Sequence, residues 1–598
     1  MKLSNYIFQT LKDKGLDTVF LVTGGGAMHL NDAIGRVQGI KFICNHHEQA
    51  SAMAAEGYAR VAGKPAILNV TTGPGAINAL NGVFGAFTDS IPMLVISGQV
   101  KRETMLSNYH VDGLRQLGDQ EVEIVPMVKG ITKYAVTVTD PNTIRYHLEK
   151  ALYLTTHGRP GPCWLDIPVD VQGSMIDENA LAPFEPAEIN GIDTTKLERD
   201  VQTVIEKIAE AERPVIIAST GIRLAKALDE FEEAIDLLGV PVATAWSHDV
   251  IHHNHPQFIG KQGSIGDRAG NFAVQNADVV VMIGTRMPIR QVSYNWENFA
   301  PAAYKIHIDI DKAELEKPTM KTNLALNYDA KQFLQALIKE LKNKSAYNKN
   351  KFATWVDWCV ERKKKYPTVL PHHKDPNKPI NPYYFIYELQ QRLTANDVIV
   401  CGDATACIVT FQTSQIKKGQ QLFSNSGSAS MGYDLPAAIG AAAGAPDRRI
   451  ICLAGDGSIQ MNIQELQTVV QHGFNLKIFV LDNGGYLSIK STQNSFFSLS
   501  VGSGPESGVT FPDMEKIGNA YGLPSLTIKD FNFQQQLEKV LAMEGPVLCN
   551  VKLDTNQLFE PKLSSKQLPD GKMVSAPLHD MFPFLSKEEL ESNMIISG

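Results

Sequence analysis

Between Arg449 and Tyr486 the sequence runs through a strand, a glycine turn, a helix, a second strand and a polar turn, and few folds accept that order. The apolar run Arg449-Ile450-Ile451-Cys452-Leu453-Ala454 breaks at Gly455-Asp456-Gly457-Ser458, and a second run from Leu476 to Leu481 breaks at Asp482-Asn483-Gly484-Gly485-Tyr486. Two strands joined through a helix are parallel neighbours in one sheet. Asp456 and Asn483 then stand at the carboxyl ends of adjacent strands, the edge at which open α/β sheets bind ligands. A carboxylate and an amide oxygen there suit Mg²⁺, a hard cation that keeps coordination positions open for phosphate oxygens.

The chain around this segment is large. Its 598 residues exceed a single core, so about three domains of ordinary size are expected. Hydrophobic content of 43% with 20% charged residues describes a globular protein. A net charge of −8 provides no basic footprint for nucleic acid. No apolar run is long enough to span a bilayer. The start, Met1-Lys2-Leu3-Ser4-Asn5, leads into an amphipathic helix pattern without a signal-peptide core. The 7 cysteines are scattered and form no Cys-x-x-Cys pair. They read as reduced, mostly buried thiols of a cytoplasmic protein without a zinc site.

Three α/β blocks follow one another, each expected to be a doubly wound parallel sheet. The first spans 1–172 and alternates β-branched strands with helices, for example a strand over 65–70, a helix over 75–87 and a strand over 93–97. A polar connector from Gly173 to Arg199 leads to a central block over 190–344. A Lys/Asn-rich stretch and the run Glu361-Arg362-Lys363-Lys364-Lys365, read as a solvated helix face, precede a third block over 378–560. The tail, 561–598, contains Pro569-Asp570-Gly571 and is expected to be an ordered cap.

The first block also holds His46-His47-Glu48-Gln49-Ala50, Thr72-Gly73-Pro74-Gly75-Ala76-Ile77-Asn78 and Asp89-Ser90-Ile91-Pro92. Alone, Glu48 is a first-turn helix acid favoured by the dipole, and Gly73-Pro74-Gly75 is a turn before a helix. Taken with the Gly455-to-Asn483 segment, they resemble the acetolactate-synthase-like branch of the thiamine-diphosphate enzymes, over essentially the whole chain. That family usually writes Asn-Asn where this chain has Asp482-Asn483.

The resemblance implies three domains: a pyrimidine-binding domain, a central domain and a diphosphate-binding domain. It also implies active sites shared between subunits of a homodimer or homotetramer. By family position Glu48 is the glutamate that hydrogen-bonds the aminopyrimidine and Gln120 an active-site glutamine. The carboxylate is needed because removal of the thiazolium C2 proton relies on an imino tautomer of the cofactor, which a carboxyl group in a dry setting stabilises. Gly73, Pro74 and Asn78 are on the pyrimidine side. Asp456, Asn483 and the carbonyl of Gly485 are the Mg²⁺ ligands. Gly402, Gly455, Gly457, Ser458 and Tyr486 line the diphosphate side, where a helix from Asn462 adds its N-terminal dipole. Met431 props the cofactor into its bent form. Gly25 and Gly26 leave room for substrate near the reacting carbon, and Ile489 and Thr492 line the acceptor pocket.

In the central block, Gly221, Gly284, Arg286, Arg290 and Asp309 match segments that contact FAD in that family. No full GxGxxG is present, so FAD is implied by the resemblance rather than by a motif. The implied reaction decarboxylates a 2-oxo acid, pyruvate, and adds the two-carbon acyl unit to a carbonyl acceptor. Two residues bear on the acceptor: the family's pocket tryptophan is replaced by Thr492, which leaves a wider pocket and resembles surface-polysaccharide enzymes that use keto-sugar nucleotides, while Arg290 matches the family arginine that receives a second keto acid's carboxylate, so acetolactate synthase stays the nearest label. A nonoxidative decarboxylase and a C–C hydrolase are the alternatives.

Overall fold

In a computed structural model, all residues are described except 187–192, 246–248, 345, 498, 568–572 and 597–598, so Pro569-Asp570-Gly571 lie outside the described residues. The fold is built on three six-stranded parallel sheets. The first contains β1 (Thr18–Leu21), β2 (Lys41–Cys44), β3 (Ala66–Val70), β4 (Met93–Gln99), β5 (Tyr134–Thr137) and β6 (Pro162–Pro168), in the order β2-β1-β3-β4-β6-β5. The second contains β7 (Pro214–Ala218), β8 (Val242–Thr244), β9 (Phe258–Lys261), β10 (Val279–Ile283), β11 (Tyr304–Asp309) and β12 (Leu324–Asn327), in the order β12-β11-β10-β7-β8-β9. The third contains β13 (Val398–Cys401), β14 (Gln421–Phe423), β15 (Ile450–Gly455), β16 (Leu476–Asp482), β17 (Ser525–Ile528) and β18 (Val547–Lys552), in the order β14-β13-β15-β16-β18-β17.

The first and third sheets have the same topology: counted from its own first strand, each reads 2-1-3-4-6-5. The second, counted from its own first strand and read from the β9 edge, is 3-2-1-4-5-6, and its order reverses beside β7 as in doubly wound dinucleotide folds. The central strands read as continuous aliphatic runs because helices cover both faces of a parallel sheet; β3, β4, β7 and β10 are buried along their whole length.

The chain divides into two compact units. One comprises Met1–Ile189, Asn396–Cys407 and Phe423–Leu553; the other comprises Asn190–Ala395, Ile408–Leu422 and Asp554–Gly598. Within the first unit, the Glu48–Ala62 helix packs on the Asp434–Gly444 helix. Both are rich in Ala and Gly, and the backbones approach closely. A Cβ on Gly57 would lie 2.2 Å from the Ala437 carbonyl oxygen, and one on Gly440 1.8 Å from that of Ala54. A buried polar network crosses the same contact: Arg60 pairs with Glu56 (2.6 Å) and Asp89 (2.7 Å), and the Tyr433 hydroxyl donates to Glu56 (3.3 Å). Burial pushes the Glu56 carboxyl up to about 7, against the opposing pull of Arg60.

In the second unit the tail is tied to the loops of the central sheet. Leu563 N–H donates to the Ser264 carbonyl (2.7 Å), Arg268 to that of Met581 (3.2 Å) and Asn276 to that of Asn593 (2.9 Å).

Three local expectations are corrected. The helix expected over 75–87 is two, Pro74–Asn78 and Leu80–Thr88, with Ala79 between them. The polar connector ends before Arg199, because Asp193 caps a helix that starts at Thr194. The 361–365 run is not a uniformly solvated face. Lys363 donates to the His253 and Phe258 carbonyls (3.0 and 3.1 Å), and burial lowers its pKa to about 8. Among the described residues no helix is long and apolar enough to cross a membrane. All seven cysteines are free thiols, and all but Cys44 are buried.

Candidate active site

In both outer sheets the strand order reverses beside the first strand, which creates the crevice where such sheets bind ligands. The reversal lies between β1 and β3 in the first sheet and between β13 and β15 in the third. The loops at the carboxyl ends of these four strands hold half of the residues expected in the two outer blocks: Gly25 and Gly26 after β1, Gly73 and Pro74 after β3, Gly402 after β13, and Gly455 to Ser458 at the end of β15.

On the pyrimidine side, His47 caps the helix that begins at Glu48, accepting from Gln49 N–H at 3.0 Å. Glu48 is buried, and its Oε2 accepts from Asn78 Nδ2 at 3.0 Å. Pro74 opens the Pro74–Asn78 helix, whose short turn brings Asn78 to Glu48. Gly73 adopts a φ of 59°, and a Cβ there would lie 2.0 Å from the Gln120 carbonyl oxygen. Gln120 itself is exposed, with a φ of 62°, a strained backbone for a residue other than glycine. The glycines after β1 differ from one another. Gly25 faces open space, whereas a Cβ on Gly26 would meet the Thr72 side chain at 2.6 Å, so Gly26 is required by packing.

On the diphosphate side, Asp456 is buried; its Oδ1 accepts from Gly457 N–H (2.7 Å) and its Oδ2 from Gly485 N–H (3.0 Å). Burial, reinforced by the nearby Asp482 carboxylate, pushes Asp456 up to about 7. Asn483 Nδ2 donates to Thr405 Oγ1 (3.1 Å), and its Oδ1 is buried with no hydrogen-bond partner among the described residues. A buried acceptor without a donor costs about 1–3 kcal/mol. A divalent cation would satisfy this oxygen and remove the penalty on the neighbouring carboxylate, so the donor set fits Mg²⁺. Asp482 is engaged with Lys552 and with Asn550 Nδ2 (3.2 Å), which leaves Asn483 as the member of the pair available to a metal.

The backbone here is tightly packed. Gly485 has a φ of 148°, and a Cβ would lie 2.3 Å from the Ser503 carbonyl oxygen; one on Gly457 would lie 2.1 Å from the Tyr486 ring. Ser458 Oγ donates to Asp434 Oδ2 (2.5 Å) and accepts from Gly432 N–H (2.8 Å), pinning the loop that carries the half-buried Met431. A Cβ on Gly402 would meet the same Asp434 carboxylate at 2.4 Å. The helix expected from Asn462 is a 3-10 turn, Ile459–Asn462, followed by an α-helix from Glu465 to His472. Ile489 and Thr492 lie on the Leu487–Phe496 helix and are exposed; Thr492 Oγ1 donates to the Ser488 carbonyl of its own helix (3.0 Å).

In the central sheet the reversal lies between β7 and β10, and the loops that follow these strands meet: Gly221 N–H donates to the Gly284 carbonyl at 3.0 Å. The loop after β10 has left-handed backbone at Gly284 (57°), Met287 (45°) and Ser293 (71°), which concentrates strain at this point. Arg286 is half-buried and Arg290 exposed on this loop, and Asp309 is buried at the end of β11. In the same unit, Gln262 Oε1, Gln291 Nε2 and Arg223 Nε are buried without hydrogen-bond partners among the described residues. Orphaned polar atoms around a dinucleotide-type switch point fit a bound nucleotide cofactor.

The description "Thiamine pyrophosphate enzyme, N-terminal TPP binding domain" matches residues 1–122, the central domain of the same enzymes matches 201–337, and their C-terminal TPP binding domain matches 403–551. Acetolactate synthase 3, chloroplastic, of Brassica napus is 30% identical over 92% of this chain and 83% of its own. The acetolactate synthase of Arthrospira platensis is 30% identical over 93% and 95%. The acetolactate synthase isozyme 2 large subunit of Escherichia coli (strain K12) is 30% identical over 93% and 96%.

This chain belongs to the acetolactate-synthase-like thiamine-diphosphate enzymes. It is a thiamine-diphosphate-dependent enzyme of the carboligase type. Side chains beside the expected residues complete the arrangement: Thr405 accepts from Asn483, Asp434 accepts from Ser458, and Gln99 accepts from Thr72 Oγ1 at 2.9 Å beside the Gly73 turn.

Proposed function

We propose that this enzyme decarboxylates a 2-oxo acid, pyruvate, and joins the two-carbon acyl unit to a carbonyl acceptor. The observation that carries the reading is the pair formed by the buried Asp456 carboxylate and the unpartnered Asn483 amide oxygen. It is matched, on a sheet of identical topology, by a buried Glu48 held by Asn78. Bound thiamine diphosphate supplies a nucleophilic carbon and an electron sink. Asp456, Asn483 and the Gly485 carbonyl would hold Mg²⁺. Glu48 hydrogen-bonds the aminopyrimidine ring and holds the proton that the ring nitrogen exchanges. Met431 would support bound thiamine diphosphate, and Gln120 would face the substrate. Residues 1–172, 190–344, 378–560 and 561–598 act as pyrimidine domain, central domain, diphosphate domain and cap. The enzyme is a cytoplasmic homodimer or homotetramer whose sites pair Glu48 of one subunit with the Asp456 side of another. Exposed Phe42, Ile77 and Phe84 on the pyrimidine side support such self-association. CO₂ release from pyruvate that depends on both thiamine diphosphate and Mg²⁺ tests the reading; release independent of either would overturn it.

The acceptor is bulkier than pyruvate. Thr492 is small and exposed, and its hydroxyl bonds back to its own helix, so this position puts no bulky side chain in an acceptor's way. The substitution Thr492→Trp narrows the pocket. We expect acetolactate formation from pyruvate to rise at least about 10-fold relative to transfer onto a keto-sugar nucleotide. Rapid acetolactate formation by the unaltered enzyme from pyruvate alone would contradict the wide-pocket reading.

FAD occupies the central domain through Gly221, Gly284, Arg286, Arg290 and Asp309. A Cβ on Gly221 would lie 2.6 Å from Gly284 Cα and wedge the two loops apart. The purified protein is expected to carry flavin absorption bands. Gly221→Ala is expected to lose most of that flavin and about 1–3 kcal/mol of stability through overpacking. A colourless protein that takes up no added FAD would refute this part.

A further inference from the structure

Glu465 is a fully buried carboxylate that none of the chemistry above uses. It opens the Glu465–His472 helix, a favourable place for negative charge, but its hydrogen bonds lead elsewhere. Oε1 accepts from the backbone N–H of His46 at 2.9 Å, and Oε2 accepts from Asn45 Nδ2 at 2.8 Å and from Thr468 Oγ1 at 2.7 Å. Three neutral donors surround it, and among the described residues no cation pairs with it. Asn45 and His46 form the irregular link between the end of β2 at Cys44 and the His47 cap of the helix whose first residue is Glu48. A carboxylate from the third sheet's segment thus holds the turn that aims Glu48.

The other end of this clamp is equally fixed. Asp456 and Glu465 are joined by the Ile459–Asn462 turn, and Asn462 Nδ2 donates to the Gly432 carbonyl at 2.7 Å. We propose that Glu465 is a positioning residue: through Asn45 and His46 it fixes the turn that aims the Glu48 carboxyl. This rests on the proposed role of Glu48. It adds that Glu48 works only when Glu465 holds its turn, because a displacement of about 1 Å at a reacting group can cost about 100-fold in rate.

Glu465→Ala, Glu465→Gln and Asn45→Ala, with Glu48→Gln as the control, are compared by exchange of the thiazolium C2 proton of bound thiamine diphosphate in D₂O, at saturating cofactor and Mg²⁺. Glu465→Ala is expected to slow exchange about 10-fold or more per bound cofactor. Glu465→Gln keeps an acceptor for His46 N–H, and Asn45 can turn its amide to match, so exchange is expected within about 3-fold of the unaltered enzyme. Asn45→Ala removes one donor with little volume and reads the same coupling, a slowing of about 3-fold or more, should Glu465→Ala not fold. Normal exchange in Glu465→Ala, or in Asn45→Ala where the first does not fold, with only a lowered melting temperature, would make Glu465 a merely structural residue and overturn the proposal. Normal exchange in Glu48→Gln would instead overturn the proposed role of Glu48.

Discussion

Glu48→Gln is expected to bind thiamine diphosphate and Mg²⁺ normally and to lose about 10²–10⁴-fold in the rate of 2-oxo acid decarboxylation, the range of one proton-transfer group. The substitution is nearly isosteric. The side-chain carbonyl of the introduced amide can still accept from Asn78, whose bond to Glu48 Oε2 is 3.0 Å in the unaltered protein, so the local fold survives. What is lost is the exchangeable carboxyl proton on the pyrimidine side. Stopped-flow or steady-state CO₂ release, with cofactor binding followed separately by fluorescence or calorimetry, checks both halves of the statement. A variant that decarboxylates at the normal rate would remove Glu48 from the mechanism; one that no longer binds the cofactor would make it a binding residue.

Asp456→Asn has the second large effect, and it falls on affinity. The unaltered carboxyl is pushed up to about 7 by burial and by Asp482, so without a cation its charged form is an energetic burden. Burdens of this kind are relieved by the ligand that the site is built for. Replacement by a neutral amide removes the charge that recruits the metal and places an N–H₂ opposite one of the two backbone donors, Gly457 or Gly485. Changes to residues that merely support metal ligands cost about 10–100-fold in affinity. For a direct ligand the loss is expected at the upper end, about 100-fold for Mg²⁺ with thiamine diphosphate. Thermal unfolding gives the readout. Ligands at about 100 times Kd stabilise the unaltered protein by about 2.7 kcal/mol, and at the same concentrations the variant should gain well under about 1 kcal/mol. Equal ligand-induced shifts in both proteins would place the metal elsewhere.

Much of this was legible in the sequence because glycine turns after aliphatic runs are local signals. Ile450–Gly455 and Leu476–Asp482 are parallel neighbours, registered from Ile450 opposite Leu476 to Gly455 opposite Leu481, which puts Asp456 and Asn483 at adjacent strand ends. What the sequence did not reveal depends on contacts between distant residues. No local cue ends a helix at Ala79, yet the short Pro74–Asn78 turn is what brings Asn78 to Glu48. Lys363 sits in a run of charges that reads as solvated, and only the fold offers it the His253 and Phe258 carbonyls. Glu465 has the weakest signal of all: an acid in the first turn of a helix is the commonest of residues, and its meaning lies in Asn45 and His46, far away in the chain.

The central claim is that this enzyme makes a carbon–carbon bond at a thiamine diphosphate held by Asp456, Asn483 and Glu48. Mass spectrometry of the products formed from uniformly ¹³C-labelled pyruvate, thiamine diphosphate, Mg²⁺, FAD and a panel of unlabelled carbonyl acceptors including keto-sugar nucleotides tests it most directly. The expected result is labelled CO₂ together with one acceptor-derived product carrying two adjacent ¹³C atoms, both formed at least about 100-fold more slowly with Glu48→Gln. Labelled acetaldehyde or acetate as the sole organic product, or no labelled CO₂ at all, would contradict it.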